Sequence, residues 1–302
     1  MTVAPLLPPD DLTPQTRALL SRRGVREALE RLRLHPSRRL GQHFLVEPAA
    51  LHRILEAAEL TGEDAVLEIG PGLGVLTSEL LRRAGRVVAV ELDRRLCASL
   101  RERFAGVASF TLVEGDVLKL DLGQLMTGAG AGAGESRRYK VVANLPYGIT
   151  SAALRHLLEA RPAPSRLVLM VQLEVARRVT AAPPEMSLLA LSVRYYAQPK
   201  IVARVPAGCF LPPPQVDSAV LCLEVSAQPR VDVPAESFFR LVRAGFLHPR
   251  RQLGNNLAAG LDRPREEVRA ALDRAGVAPQ RRPETLSLED WAAVYREIRL
   301  GL

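Results

Sequence analysis

The chain has 302 residues, 47% hydrophobic and 25% charged, a composition that excludes a disordered or fibrous protein and gives length enough for two domains. Its 41 Lys and Arg against 33 Asp and Glu leave a formal charge of +8, which favours an anionic partner, nucleic acid first. Cys97, Cys209 and Cys222 are odd in number and widely spaced, which argues against a disulfide framework or a zinc site and fits a reducing cytoplasm.

Only Lys119, Lys140 and Lys200 are lysines, so the basic excess is almost wholly Arg. Arg suits bidentate phosphate contacts, although a compositional bias towards Arg and Ala accounts for much of it. The first residues carry early acids and prolines and lack the apolar core of a signal peptide, and no apolar run is long enough to span a bilayer. Residues 1–12 read as a disordered leader.

A helical pattern runs from Thr13 to about Arg33. With eight Arg against four acids in residues 1–40, this arm is either a nucleic-acid contact or a solvated helix face. A helix then begins near Glu47 and Pro48, with Leu51, Ile54, Leu55 and Ala58 on one face.

Residues 65–69 form an apolar strand that runs into Gly70-Pro71-Gly72-Leu73-Gly74, followed by a helix with Leu76, Leu80 and Leu81 on one side. Strand, glycine turn and helix resemble a nucleotide-binding βα unit. A dinucleotide fingerprint wants its third glycine at position 75, which here is Val. Glu68, two residues before the first glycine, would repel a pyrophosphate but suits a ligand bearing an ammonium and a sulfonium, which describes S-adenosylmethionine (SAM). A second strand, 86–91, ends in Glu91, 21 residues past Gly70, where an acid in such folds meets ribose hydroxyls. Residues 110–116 read as a third strand and its turn, with Asp116 an acceptor for the adenine amino group of a cofactor or simply part of the turn. Residues 127–134 alternate Gly and Ala after Thr127 and read as a flexible surface insertion.

A fourth strand ends in Asn144-Leu145-Pro146-Tyr147. A ring-conjugated amino group is a poor nucleophile because its lone pair is delocalised. Acceptors on its two N–H groups draw the nitrogen towards pyramidal geometry, and the Asn144 side-chain oxygen and the Leu145 carbonyl are candidates. Pro146 fixes φ and offers no competing N–H. Tyr147 supplies a face for a flipped-out base. The bland alternative is a strand-to-loop turn.

Beyond it, Thr150 or Ser151 is expected to cap a helix, residues 166–171 to form a fifth strand, and a helix to carry Glu174, Arg177 and Arg178. Residues 188–196 and 201–205 read as further strands, and 219–225 as the last. Phe210, in the Pro-dense connector before it, is either exposed beside the ligand edge or a core residue under a loop. From Pro234 the pattern is helical at 236–247, 251–259, 264–275 and 287–299. Arg250 and Arg251 meet phosphates or open a solvated helix. The expected architecture is α/β: a Rossmann-like, SAM-binding sheet over 40–228, an arm at 1–39, and a smaller all-α domain at 229–302.

Several blocks together resemble one family: Leu40-Gly41-Gln42-His43-Phe44-Leu45, Glu68 to Gly74, Glu91 to Asp93, Gly115-Asp116, Asn144 to Tyr147, Gln172 to Glu174, Val205 to Phe210 and Pro212 to Val220. In order and spacing they are similar to the KsgA-type (RsmA) ribosomal RNA small-subunit adenine dimethyltransferases, relatives of the Erm resistance methyltransferases, from about Thr13 to the C-terminus. The resemblance implies SAM-dependent dimethylation of two adjacent adenosines in the 3′-terminal hairpin of 16S rRNA, on an assembling small subunit, by a cytoplasmic monomer. It implies SAM contacts at His43, Leu45, Gly70, Glu91, Asp116 and Asn144, and a target adenine between Tyr147 and Phe210. His43 departs from the Asn usual after Gln42, Gly148 from the Asn common after the tetrapeptide, Leu173 from a family lysine, and Gln252 from the lysine of an Arg-Arg-Lys pattern. Two other classes remain open: a nicotinamide-dependent oxidoreductase, and a non-catalytic ribosome-assembly factor that kept the fold.

Overall fold

Val, Leu and Ala dominate five of the strands because those strands are covered on both faces, as in parallel sheets flanked by helices. The computed structural model describes residues 12–37, 39–128, 139–248 and 250–298. Its strands, in chain order, are β1 (Phe44–Leu45), β2 (Ala65–Ile69), β3 (Arg86–Glu91), β4 (Phe110–Glu114), β5 (Lys140–Asn144), β6 (Arg166–Gln172), β7 (Ala197–Val205), β8 (Phe210–Leu211) and β9 (Ser218–Val225).

Seven of these form one sheet in the order β4-β3-β2-β5-β6-β9-β7. The ladders β2–β3, β2–β5, β3–β4 and β5–β6 are parallel, and β9 runs antiparallel to β6. Strand order reverses direction at β2, so a crevice opens between β2 and β5 above their C-terminal ends, where doubly wound sheets hold ligands. A separate two-stranded ladder pairs β1 with β8, Phe44 opposite Leu211 and Leu45 opposite Phe210. The Rossmann-like methyltransferase fold expected from the sequence is the fold observed.

The chain divides into two compact units. One takes the described residues up to Ala176 with Lys200–Val225, and the other takes Arg177–Pro199 with the described residues from Ser226. The described part of the arm is not separate, since Val25, Ala28 and Leu29 share a core cluster with Phe44, Leu73 and Leu96 of the first unit. The helical unit has its own core around Trp291, Phe238, Leu257 and Leu272.

The run 188–196 is a helix, Leu188–Tyr196, and not a strand. The Ser187 hydroxyl accepts from the Ala190 N–H at 3.0 Å and caps it. Its Ala190, Leu191 and Tyr195 are buried with Phe238 and Leu241, so it belongs to the helical unit. That is why the expected boundary at 228/229 misses residues 177–199. The arm's single expected helix is two, Pro14–Leu19 and Arg22–Arg31, because Ser21 starts a new one by accepting from Gly24 N–H. Thr150 and Ser151 do not cap the helix Thr150–Glu159. The short turn Tyr147–Ile149 feeds directly into it, and the Thr150 hydroxyl donates back to the Tyr147 carbonyl at 3.3 Å. The leader, apart from Leu12, and the Gly/Ala insertion from residue 129 lie outside the described residues.

Candidate active site

A cavity of about 420 Å³ opens in the first unit at the β2/β5 crevice. His43, Leu45, Gly70, Glu91, Asp116, Asn144, Leu145, Pro146 and Tyr147 all line it. Phe210 does not.

The glycine turn is set by backbone geometry. Gly70, Gly72 and Gly74 stand at φ of 69°, 59° and 75°. At Gly74 a side chain meets both strain and a wall, because a Cβ would fall 2.9 Å from the Leu100 side chain and 3.0 Å from the Phe104 ring. The helix Val75–Arg83 starts from that residue. Arg103 braces the turn from behind, donating to the Leu73 carbonyl at 2.7 Å and to the Ser78 hydroxyl at 3.0 Å.

Three carboxyl groups converge here. Glu91 closes β3 and accepts from Leu92 N–H (2.8 Å) and Asp93 N–H (2.9 Å) on one oxygen and Gly72 N–H (3.2 Å) on the other. Burial raises its pKa while these three bonds oppose the rise. Asp116 accepts from Leu118 N–H at 3.1 Å, capping the turn Val117–Lys119. Glu68 is 1% exposed, and its Oε2 has no hydrogen-bond partner among the described residues. Burial pushes this carboxyl up to about 8, the Glu91 charge adds to the effect, and bonds from Thr77 counter it. A buried carboxyl with one oxygen left without a partner, beside a second carboxyl, is a costly arrangement that a cationic ligand relieves. This set of acceptors therefore fits SAM and disfavours a dinucleotide.

At the other end, the Asn144 Nδ2 donates to the His43 carbonyl at 3.1 Å. This leaves Oδ1 as the open acceptor. The Leu145 side chain is buried and its N–H donates to the Met170 carbonyl at 3.1 Å, which anchors the tetrapeptide on β6. The Tyr147 hydroxyl shares a 2.6 Å hydrogen bond with Ser218 at the start of β9, and the His43 ring stacks on the Tyr147 ring at 5.4 Å and 25°. His43 Nδ1 lies 2.8 Å from the Pro212 carbonyl. Tyr147 is thus held on one face and at its tip, with the ring lining the cavity.

Sequence reasoning missed Ser218 and the stacking role of His43. Ser218 closes the Pro-dense connector, and its pairing with Tyr147 spans 71 residues, so nothing local signals it. Phe210 requires a correction. It is 0% exposed and packs with Leu51, Ile54 and Val220, because β8 pairs with β1 and alternation turns Phe210 into the core. It offers no second face to a base in this geometry.

The family model described as ribosomal RNA adenine dimethylase matches residues 34–300. A relative in Dehalococcoides mccartyi (strain ATCC BAA-2266 / KCTC 15142 / 195), "Ribosomal RNA small subunit methyltransferase A", is 46% identical, over 90% of this chain and 93% of its own. A protein of the same name in Moorella thermoacetica is 45% identical, over 88% and 93%. Among solved structures, the 23S rRNA methyltransferase ErmE is 32% identical with a TM-score of 0.67, over 84% of this chain and 99% of its own. A dimethyladenosine transferase from Plasmodium falciparum shares the fold at 24% identity and a TM-score of 0.71, over 84% and 97%. With the glycine turn, its acids and the Asn144 turn opening into one cavity, the chain belongs to the ribosomal RNA adenine dimethylase family.

Proposed function

We propose that this SAM-dependent transferase dimethylates the 6-amino groups of two adjacent adenosines in the 3′-terminal hairpin of 16S rRNA, on an assembling small subunit, as a cytoplasmic monomer. The observation that carries the reading is the Asn144 amide, whose NH₂ is tied to the His43 carbonyl, which leaves its oxygen to accept at a residue that lines the cavity.

The residues divide the work. Glu68 and Glu91 hold the cationic and ribose parts of the cofactor, with Asp116 at its adenine and Gly70, His43 and Leu45 along its sides. SAM, when bound, supplies the methyl group as an electrophile. Asn144 Oδ1 and the Leu145 carbonyl accept the two N–H bonds of the adenine amine, which localises its lone pair. Tyr147 stacks on the base. No strong general base is needed, since the methylated amine sheds its proton to water, and the site's task is positioning. Among the described residues, no helix is long and apolar enough to cross a membrane. In the helical unit Arg251, Asn255 and Arg265 line an open cleft, which supports an RNA-facing role for that unit.

The test is methyl incorporation from SAM into unmethylated small subunits with the products mapped on the RNA. Two dimethylated adenosines in the 3′ hairpin are expected. Binding without incorporation would favour the non-catalytic assembly factor instead.

A further inference from the structure

Charge is unevenly shared around the cavity. Glu91 and Asp116 stand at the exits of β3 and β4, and Arg39 is the one Lys or Arg among the described lining residues. An RNA strand brings a phosphate with every nucleotide, and a cavity lined by acids repels it. A base can be drawn in only if its own phosphates find a cation near the entrance.

Arg39 is built to be that cation. Its loop closes on itself: Gln42 N–H donates to the Ser37 carbonyl at 3.2 Å, Ser37 N–H to the Gln42 side-chain oxygen at 2.8 Å, and Leu40 N–H to the Ser37 hydroxyl at 3.3 Å. The Gln42 amide also donates to Asp93 at 3.3 Å, tying the loop to the exit of β3. Gly41, at φ 61°, seats the loop on the base-accepting turn, because a Cβ there would lie 3.4 Å from the Tyr147 nitrogen and 3.6 Å from the Pro146 Cβ. Arg39 is exposed, and among the described residues its guanidinium has no hydrogen-bond or ion-pair partner. Arg23, in the same arm, is by contrast paired with Glu27 at 2.6 Å.

We propose that Arg39 is the phosphate anchor for the target nucleotide, its guanidinium holding the RNA backbone beside the flipped adenosine while the base enters next to Tyr147. The inference rests on the chain acting on RNA. An Arg fork matches two phosphate oxygens at once, and its position on a closed loop limits the ordering cost of the contact. A lone cation among acids gives the anionic strand one place to anchor, while the acids suit the cationic cofactor.

The test uses the full chain, its Arg39→Ala and Arg39→Lys variants, and unmethylated small ribosomal subunits. Equilibrium binding to the particle is titrated at several salt concentrations, and S-adenosylhomocysteine binding is measured alongside. Arg39→Ala should weaken particle binding and raise the KM for the particle by about tenfold. Its log–log salt slope should shrink by about one relative to the wild type. S-adenosylhomocysteine affinity should stay unchanged, and Arg39→Lys should restore the salt slope. An unchanged slope and KM in Arg39→Ala would overturn the assignment, as would a matching loss of S-adenosylhomocysteine affinity. Wild-type protein that binds particles but transfers no methyl group would instead count against the proposed activity, and the salt titration would still read the Arg39 contact.

Discussion

The Asn144 side-chain nitrogen donates to the main-chain carbonyl of His43 across 3.1 Å, two residues that stand 101 apart in sequence. One hydrogen bond decides which end of the amide the cavity meets. Were the amide reversed, its oxygen would face the carbonyl oxygen of His43 and its NH₂ would face the substrate amine, donor to donor.

That orientation makes Asn144 testable by two substitutions. Asn144→Ala removes the acceptor and should retain measurable SAM binding while lowering methyl transfer on the order of a hundredfold or more, the scale for losing one preorganised group at a reacting centre. Asn144→Asp keeps an acceptor but cannot donate to His43, so it should lose most of the rate as well. Single-turnover kinetics with saturating cofactor make the measurement. Full activity in Asn144→Ala would remove the residue from the mechanism.

Tyr147 separates ring from hydroxyl. Burial raises its pKa, so the hydroxyl stays protonated, and it is engaged with Ser218. Tyr147→Phe keeps the ring and forgoes one hydrogen bond, which costs about 1 kcal/mol in stability. Its methyl-transfer rate should remain near wild type, with an unchanged pH profile. Tyr147→Ala loses the stacking surface, worth about 1–3 kcal/mol per base, and should raise the KM for RNA more than that for SAM. A changed pH–rate profile in Tyr147→Phe would assign the hydroxyl a proton-transfer role that the geometry does not give it.

Phe210 should behave as a core residue. Truncating a fully buried Phe to Ala typically costs about 3–5 kcal/mol, so Phe210→Ala should lower the denaturation midpoint sharply. Phe210→Leu, which keeps most of the volume, should hold its KM for RNA within about twofold of wild type. A large KM increase in a Phe210→Leu protein of normal stability would restore the stacking role that burial takes away.

The sheet was legible because β2, β3, β5 and β6 are buried on both faces and read as unbroken apolar runs. The glycine turn was legible because the offset of Gly74 from the dinucleotide spacing is local. Residues 188–196 misled because a short apolar run lacks a decisive period, and what made it a helix was a cap at Ser187 and a core supplied by Phe238 and Leu241. The inward turn of Phe210 depends on β8 finding β1 across more than 160 residues. No pattern around Phe210 itself encodes that register.

Glu68 gives the protein without cofactor a specific pH dependence. Its carboxyl is held up to about 8 against an ordinary 4.5, with burial as the main cause and the Glu91 charge adding to it. Between those values the folded state keeps a proton that the unfolded chain has released. Stability then falls as pH rises from about 4.5 towards 8 and levels off above, where Glu68 is ionised in both states. Glu68→Gln is isosteric with the protonated acid and should abolish this portion of the slope, leaving the variant more stable than wild type near pH 8. A cationic ligand favours the ionised form, so SAM binding below pH 8 should release a proton, and the Gln variant should bind SAM more weakly without that release. Chemical denaturation across the pH range measures the first effect, and calorimetric titration in buffers of different ionisation enthalpy measures the second. Identical pH slopes in the two proteins would mean that Glu68 is ionised in the fold, with a partner for its buried oxygen.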